Sequence, residues 1–295
     1  MTVLTLPSPT LMSWAHKELG PLPTPPVDVS HPRVNSRVWE LTRPSRVRVF
    51  LKVSPNPVTY QRETFALRHA VPALGAHRAP QLIASHPQHL ALLVTAVDGR
   101  PIKQLTPSAA EEAEAHRQGG LLLARLHAAG DLTGPRRAEA ERALTDAAAG
   151  AEDRLTAAGD RLTPDERDLV RACAAHLSQL PPLPLAFIHG DAWPRNLLWN
   201  GATAAWIDFE RARFTAVVQD LVPLACAVWP GRPDLRAAFF AGYGRTLTAS
   251  EDAALTCLSA LDAVSCLRWG PDHGDPQVTA RGRRTLDRLT GEVRR

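Results

Sequence analysis

The hydrophobic pattern changes character near residue 98, from mainly strand-like to mainly helical, and that change limits the folds open to the chain. Before it the pattern is strand-like. Val34 to Leu41 alternates loosely, the turn Arg43-Pro44-Ser45-Arg46 follows, and Val47 to Val53 (VRVFLKV) has period two. Two short strands joined by a Pro-containing turn read as an antiparallel hairpin. One helix is expected from about Val58 to Ala70. The apolar run Leu90 to Val97 reads as a buried strand that stops at the turn dipeptide Asp98-Gly99. Ahead of all this lie a short helix, Pro9 to Leu19 closed by Gly20, and the Pro-rich connector PLPTPP.

After residue 98 the pattern is mainly helical. Thr106 as N-cap and Pro107 at the first helical position open a helix to about Ala129, with Gly119-Gly120 weakening its middle. Pro135 to Ala158 reads as a second helix. Thr163 and Glu166 have capping-box spacing ahead of a third, to about Leu177, and Thr248 and Glu251 repeat that box before a helix through Trp269. Strands around one helix, then helices, predict an α+β fold: a small antiparallel-sheet lobe over residues 1–97 and a larger helical lobe over 98–295.

Composition removes several classes of function. With 44% hydrophobic and 22% charged residues, the 295-residue chain is an ordinary globular protein, not a disordered chain, a coiled coil or a disulfide scaffold. No run approaches the roughly eighteen apolar residues a membrane span needs, so no membrane partner is expected. The start, MTVLTLPSPTLMSW, has neither a basic leader nor a cleavage site and reads as an unexported N-terminus, which predicts a cytoplasmic protein. Cys173, Cys226, Cys257 and Cys266 lack metal-ligand spacing and read as buried free thiols. A net charge of +4 is a weak field, and only Arg281 to Arg284 forms a basic patch, so no nucleic-acid partner is expected. Of 34 lysines and arginines only Lys17, Lys52 and Lys103 are lysine, so each retained ammonium invites a reason.

The stretch Phe187 to Glu210, FIHGDAWPRNLLWNGATAAWIDFE, carries the chemistry. FIHGD is a strand end running into a polar loop, and NLLW and AAWI are hairpin strands around the turn Asn200-Gly201. Residues entering the first strand of a hairpin and leaving the second lie at one open end, so Asp191, Asn196 and Asp208 can converge there. That set suits phosphoryl transfer, in which the protein mainly positions groups and neutralises charge. Asn196 and Asp208 can supply the hard oxygens that Mg²⁺ takes. Asp191 is free to accept a proton from an attacking hydroxyl. Gly190 permits a tight turn, and His189 reads as a loop anchor. Arg195 faces a γ-phosphate or bridges to Glu210 or Asp220. Trp193 walls an acceptor site or packs on a neighbouring helix.

HGDAWPRN followed by WIDFE resembles the aminoglycoside phosphotransferase and choline kinase family, which has a bilobal protein-kinase-like fold. The resemblance covers about residues 33–270. It implies ATP and Mg²⁺ as cofactors, Asp191 as catalytic base, Asn196 and Asp208 as metal ligands, and Lys52 paired with Glu63 to position the ATP phosphates. The N-terminal lobe would then bind the nucleotide and the C-terminal lobe the acceptor. The residues agree: VFLK places Lys52 near a strand end, and Glu63 lies on the next helix. The run ending Thr95, Ala96 and Val97 fits the hinge where adenine meets backbone groups. The usual Gly-rich phosphate loop is missing from HPRVNSRVWEL, where Asn35 and Ser36 are the substitutes. Asp220 matches a family position that braces the catalytic loop.

The expected activity is ATP-dependent O-phosphotransfer to a hydroxyl of a small molecule, an aminoglycoside-like antibiotic or a related polar metabolite. Glu210, Asp262, Asp272 and Asp275 are the acidic candidates for receiving a cationic acceptor, although the charge balance shows no acidic excess. The alternative reading is a non-catalytic nucleotide-binding regulator of the same fold. A protein kinase fits poorly, because the chain lacks an HRD loop and Asp208 is followed by Phe-Glu.

Overall fold

The computed structural model describes residues 5–30 and 36–293. In chain order its regular elements begin with α1 (Pro9–Leu19), β1 (Val27–Asp28), β2 (Arg37–Thr42), β3 (Arg48–Val53), α2 (Pro57–His69), β4 (Leu82–His86), β5 (Ala91–Thr95) and β6 (Arg100–Pro101). There follow α3 (Ala109–Ala128), α4 (Gly134–Ala149), α5 (Ala151–Ala158), α6 (Pro164–Gln179), β7 (Leu185–Ile188), β8 (Leu197–Trp199), β9 (Ala204–Trp206) and β10 (Arg213–Ala216). The last are α7 (Val222–Ala227), α8 (Pro233–Tyr243), α9 (Ala249–Asp272) and α10 (Pro276–Val293). Two compact units result. One holds Met1–Thr106 with His189–Asp191 and Arg195–Arg213; the other holds Pro107–Ile188, Ala192–Pro194 and Phe214–Arg295.

The first unit is built on a five-stranded antiparallel sheet in the order β1-β2-β3-β5-β4. Trp39 pairs with Leu51 and Leu51 with Leu93, so one face carries a continuous apolar row. Leu11, Ala15 and Leu19 of α1 cover that row. Strand parity decides where the neighbouring lysine goes: with Leu51 fully buried under α1, Lys52 must leave the opposite face. β4 is absent from the sequence reading because a bulge between Leu82 and Ala84 breaks its period-two pattern. The hairpin of β8 and β9 joins β6 in a second small sheet, with Leu197 opposite Trp206 and Trp199 opposite Ala204. Its turn is closed by the Asn200 side chain, whose Oδ1 accepts the Ala202 and Thr203 N–H groups at 3.0 and 2.8 Å.

The second unit is mainly helical, with β7 and β10 paired as its one small sheet among the described residues. α3 starts at Ala109 and not at Pro107, because Ser108 and Glu111 form a complete capping box that outcompetes Thr106. The Gly119-Gly120 pair does not interrupt α3. A Cβ at Gly120 would stand 2.2 Å from the Phe239 carbonyl oxygen, so the glycine serves close packing of α3 on α8. The stretch expected as one helix to Ala158 is two, α4 and α5, divided at Gly150. In the core, the fully buried Asp220 accepts from His127 Nε2 at 2.9 Å, and His127 Nδ1 lies 2.8 Å from the Tyr243 hydroxyl. No helix of the described residues is long and apolar enough to cross a membrane.

Candidate active site

Lys52 lies on β3 and Glu63 on α2, and the ammonium donates a hydrogen bond to Glu63 Oε1. The same Nζ stands 3.2 Å from Asp208 Oδ1. Glu63 is only 3% exposed, so its carboxylate has left water for this one cation. Burial opposes the Lys52 charge, yet Glu63 and Asp208 outweigh it and hold the ammonium above the ordinary lysine value. Burial likewise disfavours the Asp208 carboxylate, and Lys52, His189 and Arg195 together bring it below the ordinary range. Asp208 has φ of +69°, in the left-handed region that side chains other than glycine rarely adopt, a strain that turns its carboxylate out of the strand path.

The loop before β8 is held from beneath by His189, which is fully buried. The Asp191 N–H donates to His189 Nδ1 at 3.3 Å, which makes Nε2 the protonated nitrogen, and Nε2 donates to the Ile207 carbonyl at 3.0 Å. Its ring packs on Trp206 and Phe209. Gly190 (φ +77°) takes the turn; a Cβ there would stand 2.2 Å from the Arg211 carbonyl oxygen. Across the hairpin mouth Ile207 N–H donates to the Asn196 carbonyl at 3.0 Å, which sets Asn196 beside the residue preceding Asp208.

Asp191 and Asn196 meet directly. Asn196 Nδ2 donates to the Asp191 carbonyl at 2.9 Å and to Asp191 Oδ2 at 2.8 Å. With its amide nitrogen so engaged, Asn196 keeps Oδ1 for another partner. Arg195 Nη2 reaches both Asp191 oxygens, at 2.9 and 2.7 Å. That partner for Arg195 was not among those weighed from the sequence; the Asp191-to-Arg195 spacing of four was its only trace. Among the described residues no three His, Cys, Asp or Glu side chains form a metal cage. Asp208 and Asn196 could each offer one hard oxygen of the kind that a magnesium ion carrying phosphates and waters takes.

Of the other sequence candidates, Ser36 lines a polar cavity with Arg62 and Arg211, and Asn35 lies outside the described residues. Thr95 N–H bonds the Gln81 carbonyl and Ala96 N–H the Arg48 carbonyl, so both are engaged by the sheet. The Val97 N–H has no partner among the described residues, and Val97 packs with Leu198, Ala205 and Ile207 in an apolar cluster. Trp193 packs under a helix: the Arg281 guanidinium of α10 lies 4.1 Å above its ring. The acidic candidates of the second unit are separately engaged. Asp262 pairs with Arg281 at 3.3 Å, Asp272 with Arg161 at 3.7 Å, and Asp275 caps α10 through the Gln277 and Val278 N–H groups.

An antiparallel sheet whose lysine meets a helix glutamate, followed by an HGD loop and a strand ending in aspartate, defines a kinase-like phosphotransferase fold. The profile of the phosphotransferase enzyme family (APH) matches residues 31–255, and the chain belongs to that family. No curated protein matches the sequence. Among solved structures, a choline/ethanolamine kinase family protein from Mesorhizobium loti is 18% identical, with 95% of this chain and 94% of that one covered and a TM-score of 0.65. A macrolide 2'-phosphotransferase type I is 14% identical over 96% and 99% of the two chains, TM-score 0.65. A thermostable mutant of an aminoglycoside phosphotransferase, in ternary complex with ADP and hygromycin B, is 14% identical over 94% and 97%, TM-score 0.66. The shared fold is α+β and kinase-like.

Proposed function

We propose that the protein is an ATP-dependent O-phosphotransferase that moves the γ-phosphate onto a hydroxyl of a small polar molecule. The observation that carries this reading is the Lys52 ammonium clasped by Glu63 and Asp208, with Asn196 and Arg195 orienting the Asp191 carboxylate in the same unit. Glu63 holds the ammonium extended, so that it meets the nucleotide phosphates without losing its orientation. Asn196 Oδ1 and Asp208 would hold Mg²⁺, which when bound neutralises charge on the phosphates. Asp191, its carboxylate oriented by Asn196 and Arg195, accepts the proton of the acceptor hydroxyl as that oxygen attacks phosphorus. Arg195, on the same carboxylate, is placed to meet the charge that develops on the transferred group. The Val97 N–H, which has no partner among the described residues, and its apolar cluster suit an adenine ring.

The relatives act on or bind macrolides and aminoglycosides, which supports a hydroxyl acceptor of that kind or a related polar metabolite. Because Asp262, Asp272 and Asp275 are each engaged within the second unit, we assign the acceptor no polycationic character. Magnesium ATP with a panel of macrolides, aminoglycosides, amino alcohols and sugars, followed by ADP release, tests the reading. Asp191→Asn is expected to lower kcat by about 10²–10⁴ while leaving nucleotide binding nearly intact. Normal turnover by that variant would overturn the role of Asp191. Nucleotide binding with no turnover on any acceptor would favour the regulator instead.

A further inference from the structure

Ala192, Trp193 and Pro194 belong to the second unit, while Asp191 before them and Arg195 after them belong to the first. Trp193, in the middle of this excursion, is met by α10. Gly282 sets how near that helix lies to α9: a Cβ there would stand 2.7 Å from the Ala263 carbonyl oxygen, so glycine is what lets the two backbones approach. The neighbouring Arg281 is thereby carried against α9, where Asp262 and Cys266 lie one turn apart on one face. Its Nη2 stands 3.3 Å from Asp262 Oδ2 and also touches Cys266 Sγ. Gly270 fixes the register further along, since a Cβ there would lie 2.2 Å from Thr279 Oγ1.

The guanidinium faces the indole at some expense to its ion pair. An arginine at its best with a carboxylate turns two N–H groups onto the two oxygens. Arg281 brings one nitrogen to Asp262, and its buried Nε–H has no acceptor among the described residues. Its guanidinium carbon stands 4.1 Å from the centroid of the Trp193 ring. Burial opposes the charge, but Asp262 and the neighbouring groups outweigh it and hold Arg281 above the ordinary arginine value, so the ring meets a full cation. The Arg281 side chain is only 14% exposed, and a cation over an indole attracts most strongly when water is kept away.

The excursion is too short to absorb a shift of that ring. The fully buried Ala192 is the one residue between Asp191 and Trp193, and Pro194, whose ring fixes its own backbone, is the one between Trp193 and Arg195. The two flanking side chains meet, with Arg195 Nη2 on both Asp191 oxygens. We propose that Arg281 is a positioning residue: braced by Asp262, it pins Trp193 and so fixes the direction in which Asp191 presents its carboxylate to the acceptor hydroxyl. This role rests on the phosphotransferase reading and deepens it.

The full chain, given magnesium ATP and the panel acceptor that releases ADP fastest, tests this. Arg281→Met is expected to lower kcat about 10–100-fold with KM for ATP within about 2-fold, the cost of a misplaced reacting group. Arg281→Lys keeps a cation over the ring and recovers most of that loss. Trp193→Leu lowers kcat as Arg281→Met does, and the double variant is no worse than the poorer single one, because both remove the same contact. Arg283→Met is the control for a merely structural role: it frees α10 from Glu166 and from the Arg161 carbonyl but leaves the Arg281–Trp193 contact in place. It should lower the melting temperature and leave kcat within about 2-fold, as expected of a site without shared partners. Amide NMR of the full chain needs no acceptor: the Asp191 and Arg195 signals shift in Arg281→Met and stay in place in Arg283→Met. Parental kcat in Arg281→Met, an equal loss in Arg283→Met, or unmoved Asp191 and Arg195 signals would each overturn the proposal. If no acceptor turns over, the phosphotransferase reading fails by itself, and the NMR comparison alone decides whether Arg281 fixes Asp191.

Discussion

Replacing Glu63 by glutamine removes one charge and almost no volume from the centre of the site. Lys52 then has Asp208, at 3.2 Å, as its remaining anion. A hydrogen bond between charged groups contributes roughly 1.5–3 kcal/mol, and the amide oxygen of glutamine retains part of it. With the Lys52 side chain 16% exposed, screening by water is small, and it is the part kept by the amide oxygen that brings the net loss into the lower half of that range. A loss of about 1.5–2 kcal/mol corresponds to about 10–30-fold weaker nucleotide binding, because the ammonium leans toward Asp208 and away from the phosphates. Titration with a fluorescent ATP analogue reads the affinity, and thermal melting run in parallel should show a fall of a few degrees. Glu63→Asp keeps the charge but withdraws it by roughly one bond length, about 1.5 Å, and should weaken binding as well. Affinity and turnover within about 2-fold of the parent in both variants would refute the reasoning, since Lys52 would then need no partner on α2.

Gly190→Ala places a methyl 2.2 Å from the Arg211 carbonyl on backbone with φ of +77°, so the loop must move; a loss of about 2 kcal/mol or more and a larger loss of turnover are expected, and a variant with parental melting temperature and activity would contradict the packing. Acid should unfold the second unit partly through His116. Burial first, with Glu112 and Asp234 opposing and Arg232 assisting, pushes its pKa from 6.5 down to about 4. The unfolded chain takes up a proton near pH 6.5 that the folded chain refuses until about pH 4, so this stability is present above 6.5 and lost as pH falls toward 4. The loss is worth about 3 kcal/mol, measurable by urea unfolding across that window, and His116→Gln should flatten the slope.

The candidate site was legible where neighbours along the chain set the geometry. The turn Asn200-Gly201 and the apolar runs beside it carry the hairpin, and Asp191, Asn196 and Asp208 follow at its mouth. The Thr163–Glu166 and Thr248–Glu251 boxes name their helix starts because donor and acceptor lie three residues apart. Where two local signals competed, as at Thr106 and Ser108, the reading erred; Gly150 divided a pattern that looked continuous. The fold of β4 depended on a bulge that hides its periodicity.

By itself, then, the order of residues determined the strand that carries Lys52, the turn around Gly190 and the kinase-like α+β plan. Hydrogen-bond spacing and hydrophobic period act over a few residues and are written in the chain. Only the tertiary structure decided that Arg195 grips Asp191, that Asp208 adopts a left-handed backbone, and that Arg62, Arg211 and Arg213 share one cavity. Those outcomes depend on which distant segments pack together, and that choice leaves no periodic trace in a linear sequence.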